Sequence, residues 1–189
     1  GKDSSFQSHI LKHKYGMRPL TVTWAPHIYT DIGWKNFRNW INIGGFDNYL
    51  FTPNGKIHRY LTRRAIINIL HPFQPFIFGQ KTFLPHIAYL LNIPLIFYGE
   101  PPSDYGTRLG NTKQFSNKIE DSHPGFTQDP ISSMKIEDVK LGGDPISYHI
   151  EQGHNINDFK PYLPLDINKI QEKKIETQFL GYYLKWIPQ

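Results

Sequence analysis

Apolar positions along the first hundred residues change period from block to block. Ser4–Tyr15 places Phe6, Ile10 and Leu11 at helical spacing, with Gly16 as a natural cap. Pro19–Trp24 (PLTVTW) reads as a short buried strand. Asp31 is positioned to cap a helix carrying Trp34, Phe37, Trp40 and Ile41 on one face and ending at Gly44-Gly45. Tyr49–Thr52 predicts a second strand. Lys56–Leu70 predicts a helix with Ile57, Tyr60, Leu61, Ala65 and Ile69 inward, ended by His71-Pro72. Gly79–Asn92 has helical character that Pro85 should kink or split. Ile93–Tyr98 is apolar on both faces, as in a covered parallel strand. This alternation implies an α/β, doubly wound, mostly parallel sheet.

The pattern then changes. Residues 101–165 hold six prolines in Pro101-Pro102, Pro124, Pro130, Pro145 and Pro161, with Pro164 a seventh, among polar runs. They predict a loop-rich insertion or lid with short helices at Ser133–Leu141 and Pro145–Gln152. Asp166 should cap a helix through about Ile175, and Gln178–Trp186 should return as a strand. The chain divides into a core over 1–100, the insertion over 101–165 and a returning helix and strand over 166–189. There is no internal repeat. The opening Gly-Lys-Asp-Ser, without methionine, reads as the start of an internal piece of a longer protein.

Composition narrows the chemistry. The chain has 189 residues, 39% hydrophobic and 15% aromatic, enough for a real core. It has no cysteine, which excludes a disulfide scaffold, a thiol nucleophile and a thiolate metal site within these residues. That usage suggests a reducing, cytoplasmic compartment. No apolar run approaches the ~20 residues of a membrane span. Net charge is +5, unevenly spread. Residues 1–98 hold 11 Lys and Arg against Asp3, Asp31 and Asp47; residues 99–189 hold 10 against 13 acids. The first half should attract anions. Its bases are scattered rather than in blocks, which favours a nucleotide over a nucleic acid.

Gly1-Lys2-Asp3-Ser4-Ser5 opens the first helix. A glycine turn feeding a helix N-terminus presents free N–H groups and the positive end of the dipole, an anion site. Lys2 adds a cation, and Ser4 and Ser5 add hydroxyl donors. Taken alone, Asp3 or Ser4 also reads as a plain N-cap. GKDS looks like the tail of the SGGxDS pyrophosphate loop of PP-loop ATP pyrophosphatases.

Further stretches extend that resemblance. They are GKDSSFQSHILKHKYGMRPLTVTWAPHIYTDIGWKNF, FDNYLFTPNGKIHRYLTR, HPFQPFIFGQK, NIPLIFYGEPPSDYG and FLGYYLKWIPQ. Together they resemble the N-acetyl sugar amidotransferase family of surface-polysaccharide and flagellar-glycan biosynthesis. That family includes enzymes making acetamidino forms of pseudaminic and legionaminic acids. The resemblance covers nearly the whole chain outside about 107–160. It implies a PP-loop, adenine-nucleotide hydrolase-type fold whose first, central strand lies before this chain, leaving two neighbouring strands without a ladder partner. On that ground the 189 residues alone should be marginally stable or prone to aggregate.

The resemblance implies ATP and Mg²⁺ as cofactors. Gly1, Lys2, Asp3 and Ser4 would hold pyrophosphate, with Ser5 a further contact. Thr23 and Trp24 would lie near adenine, and Gly99 would line the nucleotide site. Lys2, Asp3 and Glu100 would be catalytic, with Asp3 and Glu100 near Mg²⁺. An acetamido sugar would be the acceptor, and a partner glutaminase would supply ammonia. The family's upstream cysteine pairs have no counterpart here, so any zinc would lie outside this chain. The family's Gly-Glu-Asn after the third strand is Gly99-Glu100-Pro101, which loses a side-chain amide.

Other readings stay open. Trp24 also reads as core. Asn54-Gly55 also reads as a turn and helix start, and Glu100 as an exposed loop acid. Gln74, Gln80 and Lys81 mark either a site or packing. Arg59, Arg63 and Arg64 face either an acidic ligand or solvent. His9 and His13 share a helix face without a third metal ligand. Two competing functions share GKDS: a tRNA-modifying PP-loop enzyme, of thiolase or lysidine-synthetase type, and a non-catalytic nucleotide-binding module.

Overall fold

The computed structural model describes residues 2–99 and 134–184. Gly1, Glu100 and the expected lid between 101 and 133 lie outside the described residues, as does the end of the chain from 185. The described part is α/β. Its helices are α1 (Lys2–His13), α2 (Asp31–Asn42), α3 (Gly55–Ile69), α4 (Gln74–Leu91), α5 (Ile146–Glu151) and α6 (Ile167–Glu172). Its strands are β1 (Thr21–Trp24), β2 (Asn48–Phe51), β3 (Leu95–Tyr98), β4 (Lys140–Leu141), β5 (Asp144–Pro145) and β6 (Glu176–Phe179).

The parallel sheet is in two pieces. β1 pairs with β2, Thr21 opposite Asn48 and Trp24 opposite Phe51. β3 pairs with β6, Leu95 opposite Glu176 and Tyr98 opposite Phe179. Among the described residues no ladder joins the two pairs. β1 and β3 instead flank one cleft, as do α1 and α4. Among the described residues this is an α/β arrangement with two separate parallel strand pairs.

Local chemistry sets the element ends. Thr30, one residue before the expected Asp31, caps α2, its Oγ1 accepting from Gly33 N at 3.0 Å. Asn54 caps α3, its Oδ1 accepting from Lys56 N at 3.0 Å, so the turn reading of Asn54-Gly55 holds. Leu70 and Asn92 end α3 and α4 in the left-handed conformation.

α4 is continuous through Pro85, so the proline does not split the helix. Proline cannot donate to the carbonyl four residues earlier, that of Lys81. Tyr98 of β3 supplies the missing donor: its hydroxyl bonds Lys81 O at 2.6 Å. A strand side chain thus caps an orphan acceptor inside a helix.

Two apolar clusters meet along α4. The larger contains Trp24, Ile57, Leu61, Phe78, Phe83 and Ile87 together with Val139, Leu141, Ile146, Phe159, Tyr162 and Leu163. The smaller contains Ala88, Ile96, Tyr98, Leu165, Ile170, Ile175 and Phe179. Residues 134–165, grouped by composition with a lid, therefore supply much of the core: Val139, Leu141 and Phe159 are fully buried. Their prolines terminate short elements that pack inward instead of loosening the segment.

The helix expected over Ser133–Leu141 is a single 3₁₀ turn, Ile136–Asp138, followed by the β4–β5 hairpin. Gly142 and Gly143 both adopt positive φ, the conformation a two-residue hairpin turn requires. A Cβ on Gly142 would lie 2.7 Å from Arg64 Cβ and 2.9 Å from Leu61 O, so the turn also packs tightly on α3. α5 agrees with the expected Pro145–Gln152 helix. Asp166 caps α6, accepting from Asn168 N at 2.8 Å. The last strand is shorter than expected: β6 ends at Phe179 and Leu180–Tyr182 form a 3₁₀ turn.

Candidate functional site

α1 begins at the carboxyl end of β3. A Cβ on Gly99 would overlap Ser4 Oγ and sit 2.9 Å from Ser4 Cβ. Only a glycine permits that approach, and it brings the first turn of α1 against the strand end. In open α/β sheets ligands bind outside the carboxyl ends of the strands.

A cleft of about 1390 Å³ reaches this point and runs back along the full length of β1 and β3. Lys2, Ser4 and Ser5 from α1, Thr23 and Trp24 from β1, and Gly99 all line it. Six of the nine residues singled out from the sequence thus share one cleft. Asp3 sits half-buried in the first turn of α1 but does not line the cleft, and Gly1 and Glu100 fall outside the described residues. Lys2, Arg18 and Lys81 are the charged residues of the lining, with no acid among the described residues that form it. The cleft is therefore suited to an anion. α2 adds Phe37 and Trp40 to the lining, together with Asn36 and Asn39, and Ile43 follows from its C-cap. α2 buries none of its residues, so this face is open to the cleft.

Thr23 Oγ1 accepts from Asn48 Nδ2 at 3.0 Å, and the same amide reaches Thr21 Oγ1 at 2.8 Å. Trp24 is only 4% exposed. Its ring packs against Phe51, Phe83 and Tyr162 with centroids 4.9, 5.7 and 5.1 Å away. A Cβ on Gly79 would overlap the ring. Trp24 is a core residue at the edge of the cleft, and its indole faces are already occupied.

The polar trio of the HPFQPFIFGQK stretch separates. Gln80 and Lys81 line the cleft. Gln74 holds the hairpin, donating to Lys140 O at 2.6 Å and accepting from Gly142 N at 2.9 Å. The arginines also separate. Arg64 pairs with Asp144 at 2.8 Å and lies over the Tyr148 ring, whereas Arg59 and Arg63 line a second, smaller cavity. The His9 and His13 rings lie 4.4 Å apart, and no group of three or more metal-binding side chains occurs among the described residues.

Sequence reasoning missed hydrogen-bonded imidazoles and phenols, among them the exposed His27 and the buried His58, Tyr162 and His149. His58 Nδ1 is 2.8 Å from Tyr162 Oη, and His58 Nε2 is 3.1 Å from His27 Nδ1. Burial, with a smaller contribution from His27, pulls the His58 pKa down to about 4. Burial likewise pushes the Tyr162 phenol up and lowers His27. His149, fully buried, donates from Nε2 to Leu141 O and accepts from Tyr60 Oη. Burial lowers its pKa despite the carbonyl bond. The sequence signal was weak: scattered histidines with partners up to 104 residues away.

The chain matches no family model and no curated protein. No helix among the described residues is long and apolar enough to cross a membrane.

Proposed function

We propose that this protein is an ATP-dependent amidotransferase of the PP-loop type, converting the acetamido group of a surface sugar to acetamidino. The observation that carries the reading is the convergence of Lys2, Ser4 and Ser5 with Thr23 and Gly99 on one cleft that reaches the carboxyl ends of β1 and β3 and has no acid among its described lining residues. These are the residues that the resemblance assigns to the nucleotide.

The chemistry asked of the site follows. An acetamido carbonyl is a poor electrophile. Its oxygen attacks the α-phosphorus of ATP, pyrophosphate leaves, and an O-adenylated imidate forms. Ammonia adds to the imidate carbon. AMP then departs with the former amide oxygen, leaving the acetamidine. The α1 N–H groups and Lys2 stabilise the charge of the departing pyrophosphate. Phe37 and Trp40 of α2 keep water from the imidate, which hydrolysis would otherwise return to amide. Asp3, in the first turn of α1 but outside the cleft lining, is the described carboxylate that the resemblance places near Mg²⁺. One such carboxylate would leave the ion held mainly by phosphate oxygens and water. Ammonia comes from a separate glutaminase, consistent with a chain lacking cysteine.

The test is incubation of the intact protein with ATP, Mg²⁺, ammonia and a panel of acetamido sugars. Phosphorus NMR reads the nucleotide and mass spectrometry the sugar. AMP and pyrophosphate with replacement of sugar oxygen by NH is the expected result. AMP and pyrophosphate formed only with tRNA would move the reading to an RNA-modifying enzyme. No turnover with any acceptor would leave a nucleotide-binding module.

A further inference from the structure

A second polar cluster lies beside the cleft. The turn after β1 divides the two: Pro26, Ile28 and Tyr29 face the cleft, whereas His27 faces a cavity of about 500 Å³ against α3. Arg59 and Arg63 line that cavity, four residues apart on one helix face. Neither has an ion pair among the described residues; the only such pair there is Arg64–Asp144. Like charges at this spacing disfavour the helix. No acid among the described residues lines the cavity to offset them, and Ile66 and Ile67 form its apolar side.

The hydrogen-bond chain behind His27 orients its ring. Tyr162 is 1% exposed, and its hydroxyl has one partner, His58 Nδ1. A buried hydroxyl must place its proton, so Tyr162 donates and His58 Nδ1 accepts. His58 then carries its proton on Nε2 and donates to His27 Nδ1. A neutral His27 consequently holds its own proton on Nε2, the outer nitrogen. Phe73 and Phe76 flank the ring at 5.6 and 5.5 Å. An imidazole of fixed tautomer thus lines the same cavity as two arginines that have no ion-pair partner among the described residues.

We infer that His27, Arg59 and Arg63 form an oxyanion-binding site, taking a phosphate or carboxylate group of a small molecule whose apolar part rests on Ile66 and Ile67. Arginine donors recognise both groups through charge-assisted bonds. Tyr162 and His58 are positioning residues that act through the His27 tautomer. The site is separate from the cleft, so its failure leaves the amidotransferase reading untouched.

The experiment uses the full chain with ¹⁵N- and ¹³C-labelled histidine, at constant ionic strength and pH 7.5. Inorganic phosphate and acetate are titrated separately. Saturable shifts of the His27 ring are expected for at least one of them, with a Kd on the order of a millimolar. Saturation by phosphate alone assigns a phosphate-bearing ligand, and by acetate alone a carboxylate. The exposed pair R59Q/R63Q should weaken binding by about tenfold or more. Tyr162→Phe should shift the His27 nitrogen resonances toward a tautomer mixture. Absence of saturation by both anions, or unchanged affinity in R59Q/R63Q, overturns the proposal. So does a His27 ring protonated on Nδ1 in the unmodified protein.

Discussion

Removing the Tyr98 hydroxyl should destabilise the protein through a helix it does not belong to. Tyr98→Phe keeps a ring that is 6% exposed and stacked on Phe179, with centroids 5.9 Å apart. It deletes the 2.6 Å bond to Lys81 O, the carbonyl that Pro85 cannot serve. Loss of the donor to a partly buried carbonyl costs about 1–2 kcal/mol. That is roughly 2–4 °C of melting temperature for each kcal/mol in a chain of this size. Urea unfolding followed by circular dichroism should show a lower midpoint at unchanged slope. The causal link is tested by Pro85→Ala, which returns an N–H to the Lys81 carbonyl. In that background Tyr98→Phe should cost less, with a coupling of about 0.5–1 kcal/mol. A Tyr98→Phe protein as stable as the parent, or an equal loss in both backgrounds, would refute the reasoning.

Two further predictions concern the core. Burial lowers the pKa of His27, His58, His86 and His149, that of His58 to about 4. In the unfolded chain these groups titrate near the ordinary histidine value, about 6.5. Below it the unfolded state takes up protons that the folded state refuses. Stability should therefore be full above about pH 6.5 and fall as pH drops toward about 4. The urea midpoint from pH 7.5 to 5 measures this; His149→Gln should flatten the slope, and a level profile in the parent would contradict the burial argument. Gly79→Ala should be destabilised by about 1–3 kcal/mol, because its Cβ would overlap the Trp24 ring. Alanine's helix propensity favours the opposite sign by about 1 kcal/mol, so a stabilised variant would show that the contact relaxes freely.

Much of the first hundred residues was legible because each element there satisfies itself locally. PLTVTW and IPLIFY are apolar runs of strand length, and β1 and β3 fall inside them. α3 buries Ile57, Leu61 and Ala65 of its expected stripe, while Ile69 at its end is exposed. Elements whose stability comes from distant partners were not legible in this way. Pro85 predicts a break, and only Tyr98, from the next strand, removes the need for one. Ser133–Leu141 suggested a helix, but Lys140-Leu141 pair instead with Asp144-Pro145 across the Gly142-Gly143 turn, and that turn packs on α3. The prolines of 134–165 look like loop composition, although Phe159 and Tyr162 fill the centre of the molecule.

The candidate site divides along the same line. Gly1-Lys2-Asp3-Ser4-Ser5 announces a helix N-terminus by its order alone, and Gly99 follows a recognisable strand. That the two meet, with Ser4 against Gly99, depends on how α1 and β3 pack. Trp24 shows the reverse. Its place after a strand suggested ligand contact, but Gly79, Phe51, Phe83 and Tyr162 enclose its ring. The His27–His58–Tyr162 chain joins three separate segments and has no local signature.

The central claim concerns which oxygen becomes attached to phosphorus. The most direct measurement supplies the intact protein with ATP, Mg²⁺, ammonia and an acetamido sugar labelled with ¹⁸O in its carbonyl. Attack of that oxygen on the α-phosphorus predicts one ¹⁸O in the AMP phosphate and an unlabelled acetamidino sugar. AMP formed without the label would contradict the account, because the amide oxygen would then not have been adenylated.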